Sequence, residues 1–99
     1  MQINKEQIED FEFAENNDIQ FLRVGEDVLR IGEKAFYKCP NLIFVKIEES
    51  DTPIKICSNA FLGCKHLVEI EIKRKSIFYK KIKHGRKLWK NFLKLLEKT

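Results

Sequence analysis

Apolar residues recur along the chain in a frame that repeats at intervals of 23 and 25 positions. The run Ala-Phe-x-x-Cys-x-x-Leu begins at Ala35 and again at Ala60, and each copy continues as Leu-x-x-apolar-x-apolar. An isoleucine stands five positions before each of these phenylalanines. A weaker copy is centred on Phe13, with Asn16 at the position of the cysteine. Such copies indicate a repeat protein, in which stacked neighbours bury the apolar face that a single repeat would leave exposed.

The end of each copy predicts a short β-strand. In Val45-Lys46-Ile47 the two apolar side chains would face the interior and the lysine would face outward, because side chains alternate along a strand. One strand per repeat would then stack in parallel on the next. We expect Phe36 and Phe61 to fill the interior from the opposite side, after a short turn or a single helical turn.

Both ends of the stack are expected to be covered. Asn4, with Gln7 at the capping-box position, predicts a short N-terminal helix. Apolar residues at positions 88, 89, 92, 93, 95 and 96 follow helical spacing and predict a capping helix over about residues 85–98. Between the repeats and that helix, the run Ser76-Ile77-Phe78-Tyr79 fits a final strand or partial repeat.

The repeat motifs resemble the BspA-like leucine-rich repeat family. The resemblance rests on Val28 to Ile47 and on the parallel stretch Ile54 to Ile72, and it covers residues 8–72. The later stretch departs from the family pattern through a longer loop before it and through Cys57, where the family usually has glycine. The resemblance implies a curved stack of short strands and a role in binding other molecules.

The predicted fold is therefore an α/β repeat, a short leucine-rich-repeat solenoid with parallel short strands and a C-terminal capping helix. We expect about three repeats in a single domain over residues 1–99. Within it we assign residues 1–12 to the N-terminal cap, 13–75 to the leucine-rich-type repeats and 76–99 to the basic C-terminal cap helix.

The outward strand positions form the first candidate site. Phe21 and Phe44 would be aromatic neighbours beside Arg23 and Lys46, and exposed aromatic residues with arginine are typical of binding hot spots. The alternative is that the N-terminal segment or the tail packs over them. Flanking outward positions are Gln20, Ile43 and Val68. The partner-binding candidates on this face are Phe21, Arg23, Phe44, Lys46, Glu69 and Glu71.

Charge divides the chain into two parts. Residues 1–72 hold 8 Lys/Arg and 14 Asp/Glu, a net charge of −6, whereas residues 73–99 hold 11 Lys/Arg and only Glu97, a net charge of +10. This asymmetry favours an anionic partner for the basic part. The basic residues and interleaved aromatic rings would suit nucleic acid or an acidic protein, the segment could lie on an anionic membrane, or its lysines are simply solvated. The anion-binding candidates are Lys73, Arg74, Lys75, Lys80, Lys81, Lys83, Arg86 and Lys87.

The three cysteines are expected to be free thiols with a structural role. Their odd number and a first segment without an apolar signal core favour an intracellular, cytoplasmic protein, in which disulfides are rare. Cys39 and Cys64 stand where the weaker copy has asparagine, and the family resemblance implies that such residues stack inside. Cys57, Cys64 and His66 offer three ligands at most, without a Cys-x-x-Cys pair, so we expect neither metal nor cofactor and no catalytic site.

These observations predict a small non-enzymatic protein–protein interaction module. A stoichiometric inhibitor of a partner protein or nucleoprotein complex, of phage or mobile-element origin, is one form that fits the size and the charge division. The alternative is a nucleic-acid-binding protein that uses the basic segment 73–98. No apolar run approaches the roughly 20 residues that a membrane-spanning helix needs.

Overall fold

The chain winds into a solenoid in which each coil contributes one short strand to each of two parallel sheets. In this computed structural model we describe residues 1–74 in full and residues 76–78 as backbone. The first sheet consists of β1 (Gln2–Ile3), β3 (Phe21–Val24), β5 (Phe44–Ile47) and β7 (Glu69–Ile72), in that order. The second sheet consists of β2 (Gln7–Ile8), β4 (Arg30–Ile31), β6 (Ile54–Ile56) and β8 (Ser76–Phe78).

The first sheet forms where the sequence alternates between apolar and polar residues. Along β3, Leu22 and Val24 are buried, whereas the intervening side chains are exposed. Val45 and Ile47 are the buried residues of β5, and they pair in register with Leu22 and Val24. The predicted parallel strands are therefore confirmed, with each inward side chain stacked on its equivalent from the preceding coil.

The second sheet is built on the isoleucines that precede each phenylalanine. Ile8 pairs with Ile31, which pairs with Ile56, and all three are fully buried. The glycine that follows Ile31 has a packing reason, because a Cβ on Gly32 would lie 2.5 Å from the backbone nitrogen of Asp10. Strands of two or three residues are held here by the parallel ladder and by inward isoleucines, one in β2 and in β4 and two in β6.

Phenylalanines and cysteines fill the interior between the sheets on the turn side, as predicted. The rings of Phe13, Phe36 and Phe61 are stacked, with successive centroids 5.3 Å apart and interplanar angles of 9° and 6°. Next to this stack, the thiol of Cys39 donates to the carbonyl of Phe13 at 3.1 Å, and that of Cys64 donates to the carbonyl of Phe36 at 3.0 Å. The cysteines therefore satisfy buried backbone carbonyls and link successive coils.

The segments around the phenylalanines are successive turns rather than helices. In each coil a left-handed residue accepts a hydrogen bond at 3.1 Å from the amide three positions later, as Lys34 does from Tyr37. A second left-handed residue follows four positions after the first. The pairs are Phe11 and Glu15, Lys34 and Lys38, and Asn59 and Gly63, with φ between 51° and 80°.

The predicted N-terminal helix is wrong. Ile3 and Ile8 take the inward positions of a first coil instead, and they pair with Val24 and Ile31. Pairing with preformed neighbouring strands therefore overrides the local capping pattern, and Asn4 accepts a hydrogen bond from the side chain of Gln2 at 3.2 Å rather than capping a helix. The described residues contain no helix, and the predicted cap helix over 85–98 lies outside them.

An ion pair covers the outer end of the first coil. The ammonium of Lys5, in the loop between β1 and β2, pairs with the carboxylate of Glu12, in the turn after β2. The same ammonium lies 5.9 Å from the ring centroid of Phe13, the outermost ring of the stack. The ion pair of Lys5 and Glu12 therefore covers the N-terminal end of the aromatic stack.

Candidate interaction face

The parallel register brings all six predicted strand-face residues together on the outer side of the first sheet. Phe21, Phe44 and Glu69 pair as one row across β3, β5 and β7. Arg23, Lys46 and Glu71 form a second row, and Gln2 of β1 extends it. Neighbouring residues in such a row are about 4.8 Å apart, and the two rows lie about 7 Å apart along the strands.

One corner of this face is unusually apolar. Phe21 is 59% exposed, Val68 55%, Met1 51% and Ile43 39%, and these are four of the five large exposed apolar side chains in the described part of the chain. Backbone bonds join them in two pairs, because the Met1 ammonium donates to the carbonyl of Phe21 and the amide of Val68 donates to the carbonyl of Ile43. The pairing of Phe21 with Phe44, the residue after Ile43, brings the two pairs side by side. We call Met1, Phe21, Ile43, Phe44 and Val68 the apolar corner.

A hollow of about 410 Å³ adjoins the apolar corner. It combines two aromatic rings with two cationic side chains, and no carboxylate belongs to its lining. The lining residues of this cationic hollow are Met1, Gln2, Phe21, Leu22, Arg23, Phe44 and Lys46. An apolar pocket with a few convergent charged groups is the usual form of a binding site.

Ion pairs border the hollow on the side of the strand ends. The Nε of Arg23 lies 3.4 Å from a carboxylate oxygen of Glu48, with half of the arginine side chain exposed. Glu71 is paired with Lys73 at 2.9 Å, and this hydrogen bond lowers the pKa of Glu71 and raises that of Lys73. Lys46 forms no ion pair within 4 Å among the described residues. Its charge acts on Glu71 without direct contact and helps to lower the pKa of that carboxylate.

Comparison with known protein families identifies the repeat. The family model for the BspA type leucine rich repeat region matches residues 2–84, in six copies. The chain belongs to the BspA-type leucine-rich repeat family. The resemblance that the repeat motifs indicated is confirmed, and it extends to both sides of the segment 8–72 that carried it. No curated protein and no solved structure matched the chain.

The BspA-type repeats suggest a protein-interaction module. In stacked repeats, successive strands present an extended outer surface that such proteins use for binding. In this chain the outer side of the first sheet has that extended form. Within the described residues, no helix is long and apolar enough to cross a membrane.

Arg74 was predicted to bind an anion, but its side chain is buried. Its side chain is only 5% exposed, and its guanidinium donates to the backbone carbonyls of Gly25, Glu26, Val28 and Thr52. Burial lowers the pKa of Arg74. This arginine therefore links loops of two earlier coils to the fourth, so it is not available to a phosphate.

Of the other predicted anion-binding residues, one lies within the described part of the chain and the rest lie outside it. Lys73 is exposed at the end of β7, beside Glu71. The remaining candidates, Lys75, Lys80, Lys81, Lys83, Arg86 and Lys87, lie outside the described residues.

A second depression lies among the loops that follow the strands, and it shares Lys46 with the cationic hollow. It is larger, about 1240 Å³, and it is lined mainly by carboxylates with two lysines and a single aliphatic residue, Leu29. Its acidic residues are Glu6, Glu26, Asp27, Glu48, Glu49 and Asp51. Among the described residues no group of histidine, cysteine and carboxylate side chains has the arrangement of a metal site. Because this acidic depression lacks apolar anchors, it is the weaker candidate for a protein-binding site.

The cysteines have the surroundings of structural residues. All three are free thiols, and Cys39 and Cys57 are buried. The interaction with the neighbouring thiol of Cys39, together with burial, holds the pKa of Cys64 well above its ordinary value. A thiol that resists ionisation is a poor nucleophile and a poor metal ligand.

Proposed function

We propose that this BspA-type repeat chain is a small non-enzymatic module that binds a partner protein through the outer face of its first sheet. The observation that carries the proposal is the concentration of exposed apolar side chains in the apolar corner. Exposed apolar side chains scattered singly need no explanation, but a contiguous group of them marks an interaction surface. Aromatic anchors beside arginine are the typical composition of an interface hot spot.

The backbone under the apolar corner supports this function. Phe21 and Phe44 stand on strands that are hydrogen-bonded to parallel neighbours on both sides. Their positions are therefore fixed before a partner arrives, which reduces the entropy that binding would otherwise cost. Because the described chain presents one such corner, we infer that it binds with one partner per copy and acts by occupying that partner's surface, as a stoichiometric inhibitor does.

Nucleic-acid binding by residues 73–98 is the second candidate. The observation that favours it is the net charge of +10 over residues 73–99. Binding of this kind would weaken steeply with salt, because each neutralised phosphate releases counterions. Replacing Lys80, Lys81, Lys83 and Lys87 with glutamate should then abolish retention on DNA and RNA, and unchanged retention would reject the idea.

Affinity capture tests the proposed function. The wild-type chain, the double variant Phe21→Ser/Phe44→Ser and the control Phe11→Ser would be immobilised and exposed to a nuclease-treated lysate of the source cells. Phe11 is 55% exposed but lies away from the first sheet, so its variant loses a similar apolar surface elsewhere. We expect the wild type and Phe11→Ser to retain the same protein and the double variant to lose it. Equal retention by all three chains would contradict the proposal.

A further inference from the structure

We propose that the partner presents an acidic and apolar segment, in which a carboxylate stands two residues from an apolar or aromatic side chain, and that this segment seats in the cationic hollow. The inference rests on the proposed function, because it takes the outer face of the first sheet as the binding face. It adds the chemistry of the ligand, which follows from the lining of the hollow, from the state of its two cations and from the spacing of its two rows.

The lining of the hollow is positively charged, whereas the rest of residues 1–72 is negatively charged. Residues 1–72 carry 14 acidic and 8 basic side chains, yet the hollow is lined by two of the basic side chains and by none of the acidic ones. Phe21 and Phe44 supply the apolar wall, and Arg23 and Lys46 supply the charge. A ligand that complements both must combine an apolar side chain with a negative group.

Both cations can bind a ligand carboxylate. Lys46 has no ion-pair partner within 4 Å among the described residues, and the nearby Glu71 is already engaged by Lys73 at 2.9 Å. Arg23 has a single contact with Glu48 at 3.4 Å, between side chains that are 54% and 30% exposed. An exposed ion pair of this kind is weak, so a ligand carboxylate can replace it at little cost.

The row spacing defines the ligand further. The Phe21 and Phe44 row lies two residues before the Arg23 and Lys46 row on the same strands, which is a distance of about 7 Å. An extended peptide advances about 3.3 Å per residue and its side chains alternate between two faces, so a carboxylate two residues from the apolar side chain reaches the cations. Glu69 stands beside Phe44 on β7 and would repel an acidic ligand, so the segment seats over β3 and β5.

Selection from a random peptide library displayed on phage tests the inference directly. The library would be selected on the wild-type chain, and the enriched peptides would be measured by fluorescence anisotropy. We expect enrichment of peptides with aspartate or glutamate two residues from an aromatic or branched aliphatic residue. Their affinity should fall about tenfold in Arg23→Glu/Lys46→Glu, since two charge pairs are lost and replaced by repulsion.

A matched control separates a local effect from net charge. The variant Lys34→Glu/Lys38→Glu changes net charge by the same amount, but both lysines lie on the turn side, near Tyr37. It should change the affinity less than about twofold, because charges beyond a Debye length are screened at physiological salt.

The outcomes for the two proposals are distinguishable. If Phe21→Ser/Phe44→Ser binds the enriched peptides as well as the wild type does, the proposed function fails. If binding needs the two phenylalanines but the peptides carry no excess of acidic residues, the ligand chemistry is overturned while the binding face stands. Equal binding by Arg23→Glu/Lys46→Glu and the wild type would also overturn the ligand chemistry.

Discussion

The turn side and the strand face of this solenoid differ in what each coil repeats. On the turn side the same ring recurs in each of the first three coils, at Phe13, Phe36 and Phe61, and the left-handed backbone recurs with it. On the strand face the equivalent outward positions change from Phe21 and Phe44 to glutamate. Stacking inside a shared core requires matching side chains, whereas an exposed strand position can change without disturbing its neighbours. The turn side therefore determines the fold, and the strand face is free to determine what is bound.

The largest expected effect contrasts a phenylalanine from each side. Phe36 is fully buried in the middle of the stack, so Phe36→Ala should lower the free energy of unfolding by about 3–5 kcal/mol. Phe44 is only half-buried on the strand face, so Phe44→Ala should cost about 1 kcal/mol or less. Urea denaturation followed by circular dichroism measures both. Similar losses for the two variants would break the distinction between the two sides.

Neighbouring cations after β7 provide the second contrast. Arg74→Met leaves backbone carbonyls of two earlier coils, those of Glu26 and Val28 and that of Thr52, without their buried donor, so it should cost about 2–3 kcal/mol of unfolding free energy. Lys73→Met removes an exposed ion pair and should cost less than about 1 kcal/mol. The same denaturation experiment compares them. An Arg74→Met chain as stable as Lys73→Met would show that the buried guanidinium does not hold the loops.

The smallest expected effect is that of a glycine substitution in the turns. It should have opposite signs for stability at two exposed glutamates, one in the left-handed conformation and one outside it. Glu15 has φ 60°, a conformation that costs a residue with a Cβ about 1 kcal/mol, so Glu15→Gly should stabilise the chain by up to about 1 kcal/mol. Glu33 lacks a positive φ, so Glu33→Gly should destabilise it by about 0.5–1 kcal/mol through the greater entropy of the unfolded chain. Thermal unfolding should shift in opposite directions. A destabilised Glu15→Gly would contradict the turn geometry.

Repetition is what made the interior predictable from the sequence. Leu22 and Val45, or Phe36 and Phe61, must match in kind because they stack on each other, so their spacing is visible as a repeat. The second sheet was harder to predict from the sequence, because β2 and β4 have only two residues and one inward isoleucine each. The N-terminal coil was predicted as a helix because Asn4 and Gln7 match a local capping pattern, whereas the pairing that decides their conformation comes from residues more than 20 positions later.

The candidate site was predictable in part for the same reason. Strand alternation placed Phe21, Arg23, Phe44 and Lys46 on the outer face, and the in-register ladder brings them together there. Met1 was missed, since its place follows from the pairing of β1 with β3, which no local pattern indicates. The burial of Arg74 was also missed. Its acceptors are backbone carbonyls 22 to 49 residues away, and every residue type carries a backbone carbonyl, so no sequence pattern marks them.

Backbone amide exchange, compared between the free chain and the chain bound to its captured partner, tests the central claim most directly. The account predicts that binding slows exchange at Phe21, Ile43, Phe44 and Val68 on the strand face, and that it leaves exchange unchanged around Phe11 and Tyr37 on the turn side. Slower exchange on the turn side or in the loops around Glu26 and Glu49, with an unchanged strand face, would contradict it.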